Sequence, residues 1–418
     1  MLVNKKTWEY ICQHADDDVR QLALQGCRDT EVDLTMALQQ IAGRQTARKK
    51  LPSWATIDGL VYPPHLNMEQ CSSEQTARYK AQIAGKGGTF VDLTGGFGVD
   101  FYWMSQGFGR RIYVEQDAAL CEVAEHNFRM LGLTCSVCCC KTATYLTGAE
   151  RADVVFLDPA RRNEHGGRTY GIEDCTPNVL ELLPMLLEKA DRIVLKLSPM
   201  LDWRKAVSDI SHHPCPSSQK EGSNKCCVTE VHIVSVDNEC KELLLVIEKK
   251  ETDGLRLCCV NDGCSFEVVC TLGTGCLHGA NTSFPRRKQS ENSLETETCQ
   301  YLYEPNASIM KAGCFAELEQ RFAVRQVSAN SHLFLSNVEI GDFPGRRFSV
   351  LSISSMNKKE LSASLGTLER ANIAVRNFPL TAEQLRRKLK MKDGGDVYIF
   401  ATTLADGTHK LFFCRKIG

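Results

Sequence analysis

No stretch of this chain approaches the roughly eighteen consecutive apolar residues that a membrane-crossing helix needs, so no membrane span is expected. A strong charge of either sign is missing too. The formal net charge is -1, with 24% charged and 43% hydrophobic residues, so any attraction to nucleic acid must come from a local patch. The opening segment MLVNKKTWEYICQHADDDVR lacks the apolar core of a secretory signal. No repeat of fixed period is present. Dinucleotide chemistry lacks its fingerprint: Gly96-Phe97-Gly98-Val99-Asp100-Phe101 puts phenylalanine where a third glycine belongs.

Cysteine is abundant. There are 21, an odd number that cannot pair completely, so reduced thiols in the cytoplasm are the expectation. The run CSVCCC at 135–140 contains a Cys-x-x-Cys, but no second pair follows at zinc spacing. HHPC at 212–215 sits in a polar stretch without convergent partners. No metal is expected.

At 418 residues the chain exceeds one ordinary core. Residues 1–84 read as an N-terminal helical domain, with breaks at LPSW and VYPPHL. Its Arg44, Arg48, Lys49 and Lys50 suit either a solvated helix end or a phosphate patch. Across 85–250, apolar runs (TFVDLT, RIYVEQ, CSVCCC, DVVFLD, RIVLKLS) alternate with helical segments, which predicts a mostly parallel sheet covered on both faces. VTEVHIVSV and KELLLVIEKK are separated only by DNEC, too short for a crossover, so they predict an antiparallel edge hairpin. Residues 251–300 read as a hairpin and a flexible loop. Residues 301–418 read as a C-terminal α+β module, with one helix near Ala307 to Arg321 and a closing Asp-Gly hairpin.

Two strand ends carry the chemistry. In Asp92-Leu93-Thr94-Gly95-Gly96-Phe97-Gly98 a strand enters a glycine turn and then a helix, which brings backbone N–H groups to a ligand. Asp92 disfavours a pyrophosphate but suits the ammonium and sulfonium side of S-adenosylmethionine. Glu115, with Gln116 after it, ends the next strand, where an acid accepts from a ribose diol. The third strand end carries Cys140-Lys141-Thr142-Ala143 rather than an acid, so backbone groups at Lys141 to Ala143, or the Thr142 hydroxyl, would have to serve the adenine.

The second strand end is Asp158-Pro159-Ala160-Arg161-Arg162-Asn163. Asp158, bordering the donor, can accept a hydrogen bond from an acceptor N–H or act as a base. Asp158, Pro159 and Arg161 are therefore the candidate catalytic residues. Arg161 and Arg162 suit bidentate phosphate contact, or a salt bridge to Glu164, Glu173 or Asp174. Lys196 neutralises substrate phosphate or pairs with Asp158 or Asp202. Cys175 in EDCTPN reads as a helix start rather than a nucleophile. Arg386, Arg387 and Lys388 lie on an amphipathic helix that is either simply solvated or a docking face for RNA.

The glycine turn, the two acids and the edge hairpin resemble the class I S-adenosylmethionine-dependent methyltransferases over about residues 85–250. EQCSSEQTARYKA, VDLTGGFGVD, FLDPARRN, LKLSPMLD and FPLTAEQLRRKLKMKDGGDVYIFATTL resemble, more narrowly, bacterial methyltransferases with a THUMP-like C-terminal domain, over nearly the whole chain. That resemblance implies a seven-stranded Rossmann-like α/β sheet, S-adenosylmethionine as donor and RNA as substrate. A base in structured RNA is the expected acceptor. A methyltransferase of a small molecule or protein and a non-catalytic RNA-binding protein are the alternatives.

Overall fold

A computed structural model describes residues 3–161, 171–212, 227–249, 254–271 and 299–417. Two compact units are present: Met1–Val231 with Glu242–Leu255, and His232–Lys241 with Arg256–Gly418.

The first unit starts with helices α1 (Lys5–Gln13), α2 (Val19–Gln25), α3 (Leu34–Lys50), α4 (Pro52–Ala55), α5 (His65–Gln70) and α6 (Glu74–Ala84). Side-chain caps set their starts: Asn4, Asp18, Asp33 and Ser73 each accept an N–H from the first turn of α1, α2, α3 and α6. Leu51, Trp54, Tyr62, Met68 and Ala77 form one apolar cluster with Phe97 and Val99.

The sheet follows, with strands β1 (Gly87–Asp92), β2 (Phe108–Glu115), β3 (Ser136–Cys139), β4 (Ala152–Leu157), a short ribbon of β5 (Ala160–Arg161) and β6 (Cys175–Thr176), then β7 (Ala190–Leu197), β8 (Cys227–Val236) and β9 (Glu239–Glu248). Between them run α7 (Val99–Met104), α8 (Ala118–Met130), α9 (Thr142–Gly148), α10 (Val179–Lys189) and α11 (Trp203–Ser211). The spatial order β8-β9-β7-β4-β1-β2-β3 puts β1 between β2 and β4. All the β1, β2, β3, β4 and β7 pairings are parallel, whereas β9 runs antiparallel to β7. A further hairpin, 254–271, continues this sheet beyond β8 to nine strands, so the expected antiparallel hairpin of β8 and β9 is present but is not the sheet's edge. The β8–β9 hairpin turns on Asp237 and Asn238, both at left-handed φ (52° and 59°), the conformation of a two-residue hairpin turn. Order reverses beside β1, so a ligand crevice opens outside the carboxyl ends of β1 and β4.

CSVCCC does supply β3, but as an outer strand: Cys138 is half-buried and Cys139 exposed. HHPC falls largely outside the described residues, as does 272–298 of the expected loop.

The second unit adds the hairpin β10 (Gly254–Asn261) and β11 (Cys264–Thr271). It then builds a seven-stranded sheet from β12 (Tyr301–Pro305), β13 (Arg325–Gln326), β14 (Phe334–Ser336), β15 (Gly345–Ser354), β16 (Asn372–Arg376), β17 (Val397–Thr403) and β18 (His409–Ile417). Their order is β13-β14-β12-β15-β18-β17-β16. Leu302, Phe348, Phe400 and Phe412 fill one core. Ile399, Ala401, Leu411 and Phe413 fill another with Leu385 and Leu389. Four helices accompany this sheet: α12 (Ala307–Ala312), α13 (Phe315–Phe322), α14 (Lys358–Leu365) and α15 (Ala382–Leu389). The single helix expected near Ala307 to Arg321 is thus two, because Gly313 turns left-handed (φ 71°) and ends α12. The Asp-Gly turn joins β17 and β18 as expected, with Gly407 at φ +87°.

Candidate active site

Asp92 ends β1 fully buried, where its Oδ1 accepts the Thr94 N–H at 3.0 Å. Its Oδ2 is buried with no hydrogen-bond partner among the described residues. Burial holds this carboxyl well above the ordinary carboxylate range, the Thr94 N–H opposes that, and Asp100, Asp158 and Glu115 add to it.

Two glycines of the next turn have no alternative. A Cβ on Gly95 would lie 2.1 Å from the Tyr113 ring, and one on Gly98, at φ +84°, would lie 2.6 Å from Phe128. The Tyr113 hydroxyl donates to the Gly96 carbonyl at 2.5 Å and fixes the turn from below. Open space remains over Gly96, whose added Cβ would meet nothing nearer than the Thr94 carbonyl oxygen at 3.8 Å. From the neighbouring strand end, Glu115 accepts the N–H groups of Gly96 (2.9 Å), Gln116 (2.8 Å) and Asp117 (2.9 Å). The Thr142 hydroxyl, at the start of α9 with Ala143, donates to the Leu93 carbonyl at 2.8 Å. Hydrogen bonds therefore tie the ends of β1 and β2 and the start of α9 to the turn Leu93–Gly98.

The two strand ends are joined directly. The Asp158 N–H donates to Thr94 Oγ1 at 2.6 Å. Asp158 Oδ2 pairs with Lys196 Nζ at 2.6 Å, one of the two ion pairs expected for that lysine. Asp202, its other possible partner, instead caps α11 by accepting the Arg204 N–H. Behind this pair lies a set of charges that reading by strand ends misses. Lys196 reaches Asp100 at 3.5 Å, and Asp100 pairs with Lys80 at 3.1 Å. Lys80 in turn donates to both Glu242 oxygens at 2.6 Å.

Ser72 sits among all four. It accepts from Lys80 (3.0 Å) and Lys196 (3.1 Å), and it shares its proton between Asp100 (2.7 Å) and Glu242 (3.1 Å). Burial opposes the charge of Lys196, yet Asp158 and Asp100 outweigh it and hold the ammonium well above the usual lysine range. Burial likewise raises Asp100, but Lys80 and Lys196 bring it below its ordinary value. For Asp158 burial prevails over Lys196, and its carboxyl is raised.

A signal for these residues exists in the sequence. Lys80 lies with Thr76, Ala77, Ile83 and Ala84 on the buried face of α6, an odd place for an unpaired cation. Glu242 stands immediately before the apolar run Leu243 to Ile247 of β9, yet it is buried. The register sets Leu244 beside Lys196, and Glu242, two residues on, shares its face.

The remaining candidates are placed as follows. Pro159 is buried. The Arg161 backbone pairs with Cys175 in the β5–β6 ribbon, and Arg162 lies outside the described residues. Glu173 pairs with Lys205. Cys175 is buried in a strand rather than at a helix start, since Asn178 caps α10 by accepting the Leu180 N–H. In the second unit, α15 opens with a Thr381–Gln384 capping box. There Arg386 pairs with Asp393 and Arg387 with Glu383, with Lys388 on the same helix.

Residues 345–416 match the THUMP domain-like family and 301–344 a ferredoxin-like domain family. Among curated proteins none matches. A crystal structure of a proposed methyltransferase from Porphyromonas gingivalis W83 superposes over 100% of both chains at 29% identity, with a TM-score of 0.80. This chain has the class I methyltransferase fold with a THUMP-like C-terminal domain. Other solved structures overlap less. A proposed class I S-adenosylmethionine-dependent methyltransferase from Listeria monocytogenes is 11% identical over 60% of this chain and 90% of its own, with a TM-score of 0.36. A proposed RNA methyltransferase from Pyrococcus horikoshii is 16% identical over 49% and 96%, with a TM-score of 0.33. No described helix is long and apolar enough to cross a membrane.

Proposed function

We propose that this protein is an S-adenosylmethionine-dependent methyltransferase of structured RNA, of the transfer or ribosomal kind, working in the cytoplasm. One observation carries the reading: the crevice between β1 and β4 has a buried, unpartnered carboxylate oxygen on Asp92, an acid on the neighbouring strand end and a second acid, Asp158, tied to the first strand end through Thr94. A dinucleotide would meet Asp92 with its phosphates. A sulfonium with its ammonium group satisfies it.

The residues fit this donor. Asp92 and the Thr94–Gly98 turn would hold the methionine end, Glu115 and Gln116 the ribose, and Thr142 and Ala143 the adenine. When bound, S-adenosylmethionine supplies an electrophilic methyl on sulfur. What the chain itself contributes is alignment, because Thr94 fixes the distance between the donor turn and Asp158.

For RNA, the support is the THUMP-like module and the basic end of α15. Arg161, Arg162, Arg386, Arg387 and Lys388 are the proposed phosphate contacts. The free thiols of the described cysteines support a reducing compartment.

Calorimetry of the full chain with S-adenosylmethionine tests the donor. Micromolar binding that is lost in Asp92→Ala is expected, and no binding at all would leave a non-catalytic RNA-binding protein. RNA affinity that falls steeply with salt supports the second half of the reading, whereas no RNA binding at low salt favours a small-molecule or protein substrate.

A further inference from the structure

The sequence alone sets the methyl on a base, through an acid that accepts from an amino group. The surroundings of Asp158 do not suit that role. A base nitrogen brings its own lone pair and needs acceptors for its N–H groups and a flat side chain to stack on. Here Oδ2 of Asp158 is paired with an ammonium at 2.6 Å, which leaves Oδ1 to serve one donor, as a hydroxyl needs, rather than the two N–H groups of an amino group, and the turn continues with alanine and arginines rather than an aromatic residue.

The same surroundings suit a hydroxyl. An alcohol is a poor nucleophile until its proton is leaving, so it needs a proton acceptor within reach and a cation beside the developing alkoxide. Asp158 and Lys196 supply that couple at one point.

From the Lys196–Asp158 pair, the Lys80–Glu242 pair and the Asp100 and Ser72 bridges between them, we infer that the acceptor is a hydroxyl oxygen, the ribose 2′-hydroxyl of RNA, with Asp158 taking its proton. This rests on the RNA methyltransferase reading above and names the atom within it.

Exposure grades along the set. The Asp158 side chain is 37% exposed, Lys196 and Asp100 are 11%, Glu242 is 5% and Lys80 is 0%. Only the Asp158 end meets a substrate. Three carboxylates face two ammonium groups, a formal charge of one minus, so uptake of one proton at Asp158 leaves the set neutral. When bound, the donor's C–S bond breaks with its electron pair going to sulfur as the new C–O bond forms, and the hydroxyl proton passes to Asp158. Lys196 steadies the oxygen as negative charge develops. Lys80, Glu242, Asp100 and Ser72 act through Lys196 and are positioning residues. Buried ion pairs add little net stability compared with apolar packing, so five charges running inward from the half-exposed Asp158 are better explained by chemistry.

The deciding experiment incubates the full chain with methyl-labelled S-adenosylmethionine and total RNA from cells lacking the gene, followed by nucleoside mass spectrometry and alkaline hydrolysis. We expect label in 2′-O-methylated nucleosides and in alkali-resistant dinucleotides. Label in base-methylated nucleosides overturns the hydroxyl assignment and leaves the RNA reading standing. Label that enters only small molecules or protein, or no label at all, overturns the RNA reading and the ribose assignment with it.

A second measurement reads the positioning role. Asp158 is faced by Lys196, Asp100, Lys80 and Asp92, with Glu242 behind Lys196. Lys80 favours the charged form of Asp158, so Lys80→Met should move the acid limb of the rate profile to higher pH and lower kcat about 100-fold. Donor affinity by calorimetry should be unchanged. Lys80→Arg should restore the limb, and an unmoved limb in a folded Lys80→Met protein would overturn the proposal.

Discussion

Lys80 Nζ donates to both carboxylate oxygens of Glu242, 162 residues away in the chain, at 2.6 Å. The contact ties α6 to β9, and both side chains are buried. Helix α6 precedes the first strand and β9 follows the last parallel one. The pair therefore closes the first unit across its chain order and holds Lys196 from behind.

Breaking that pair from one side should be costly. Glu242→Gln or Lys80→Met leaves the other charge buried, and a loss of about 3–5 kcal/mol is expected. A double replacement by apolar residues should lose much less. Urea unfolding midpoints across the four proteins give the coupling.

Asp92→Asn should stabilise the fold and weaken donor binding together. The buried carboxyl has its folded pKa raised, so its favourable contribution is the protonated one, present at low pH and lost as pH rises above the unfolded value. At pH 7 the amide removes the cost of burying or protonating that carboxyl, worth about 1–3 kcal/mol. The gain in melting temperature should vanish near pH 4. A gain independent of pH would contradict the assignment of its cause.

Asp158→Asn should reduce kcat by about 10²- to 10⁴-fold with the donor Kd little changed, because Asp158 meets the crevice through its backbone N–H to Thr94. As a proton acceptor it must be ionised. Burial raises its carboxyl, so the wild-type rate should climb with pH through a value above the ordinary carboxylate range and then level off. That limb should be missing in the variant.

Much of this arrangement is legible from residues 85–250, and its gaps have a physical cause. Asp92, Glu115 and Asp158 stand at strand ends, where local apolar runs stop, so short windows find them. Ser72, Lys80, Asp100 and Glu242 meet only in three dimensions, from the turn before α6, from α6, from α7 and from β9. Each looks ordinary in its own window, although Lys80 on an apolar face is an anomaly that periodicity can flag. The helix near Ala307 was divided by Gly313, a local signal overridden by the run of helix formers around it.

Gly95→Ala should weaken donor binding without unfolding the chain. The added methyl would sit 2.1 Å from the Tyr113 ring, and the ring is buried with no room to move, so the turn must lift away from β2. Calorimetry is expected to show at least a tenfold weaker Kd, roughly the 1.4 kcal/mol that a displaced hydrogen bond or two accounts for. Far-ultraviolet circular dichroism should be unchanged.

The Thr94 hydroxyl oxygen, held 2.6 Å from the Asp158 amide, makes the gap between the proposed donor and acceptor sites a property of one side chain. Thr94→Val keeps the shape of the turn and removes only the ruler. Substrates would still bind separately, but the reacting atoms would wander relative to each other. Drug-like molecules that bridge the two sites should then lose the benefit of their fixed length.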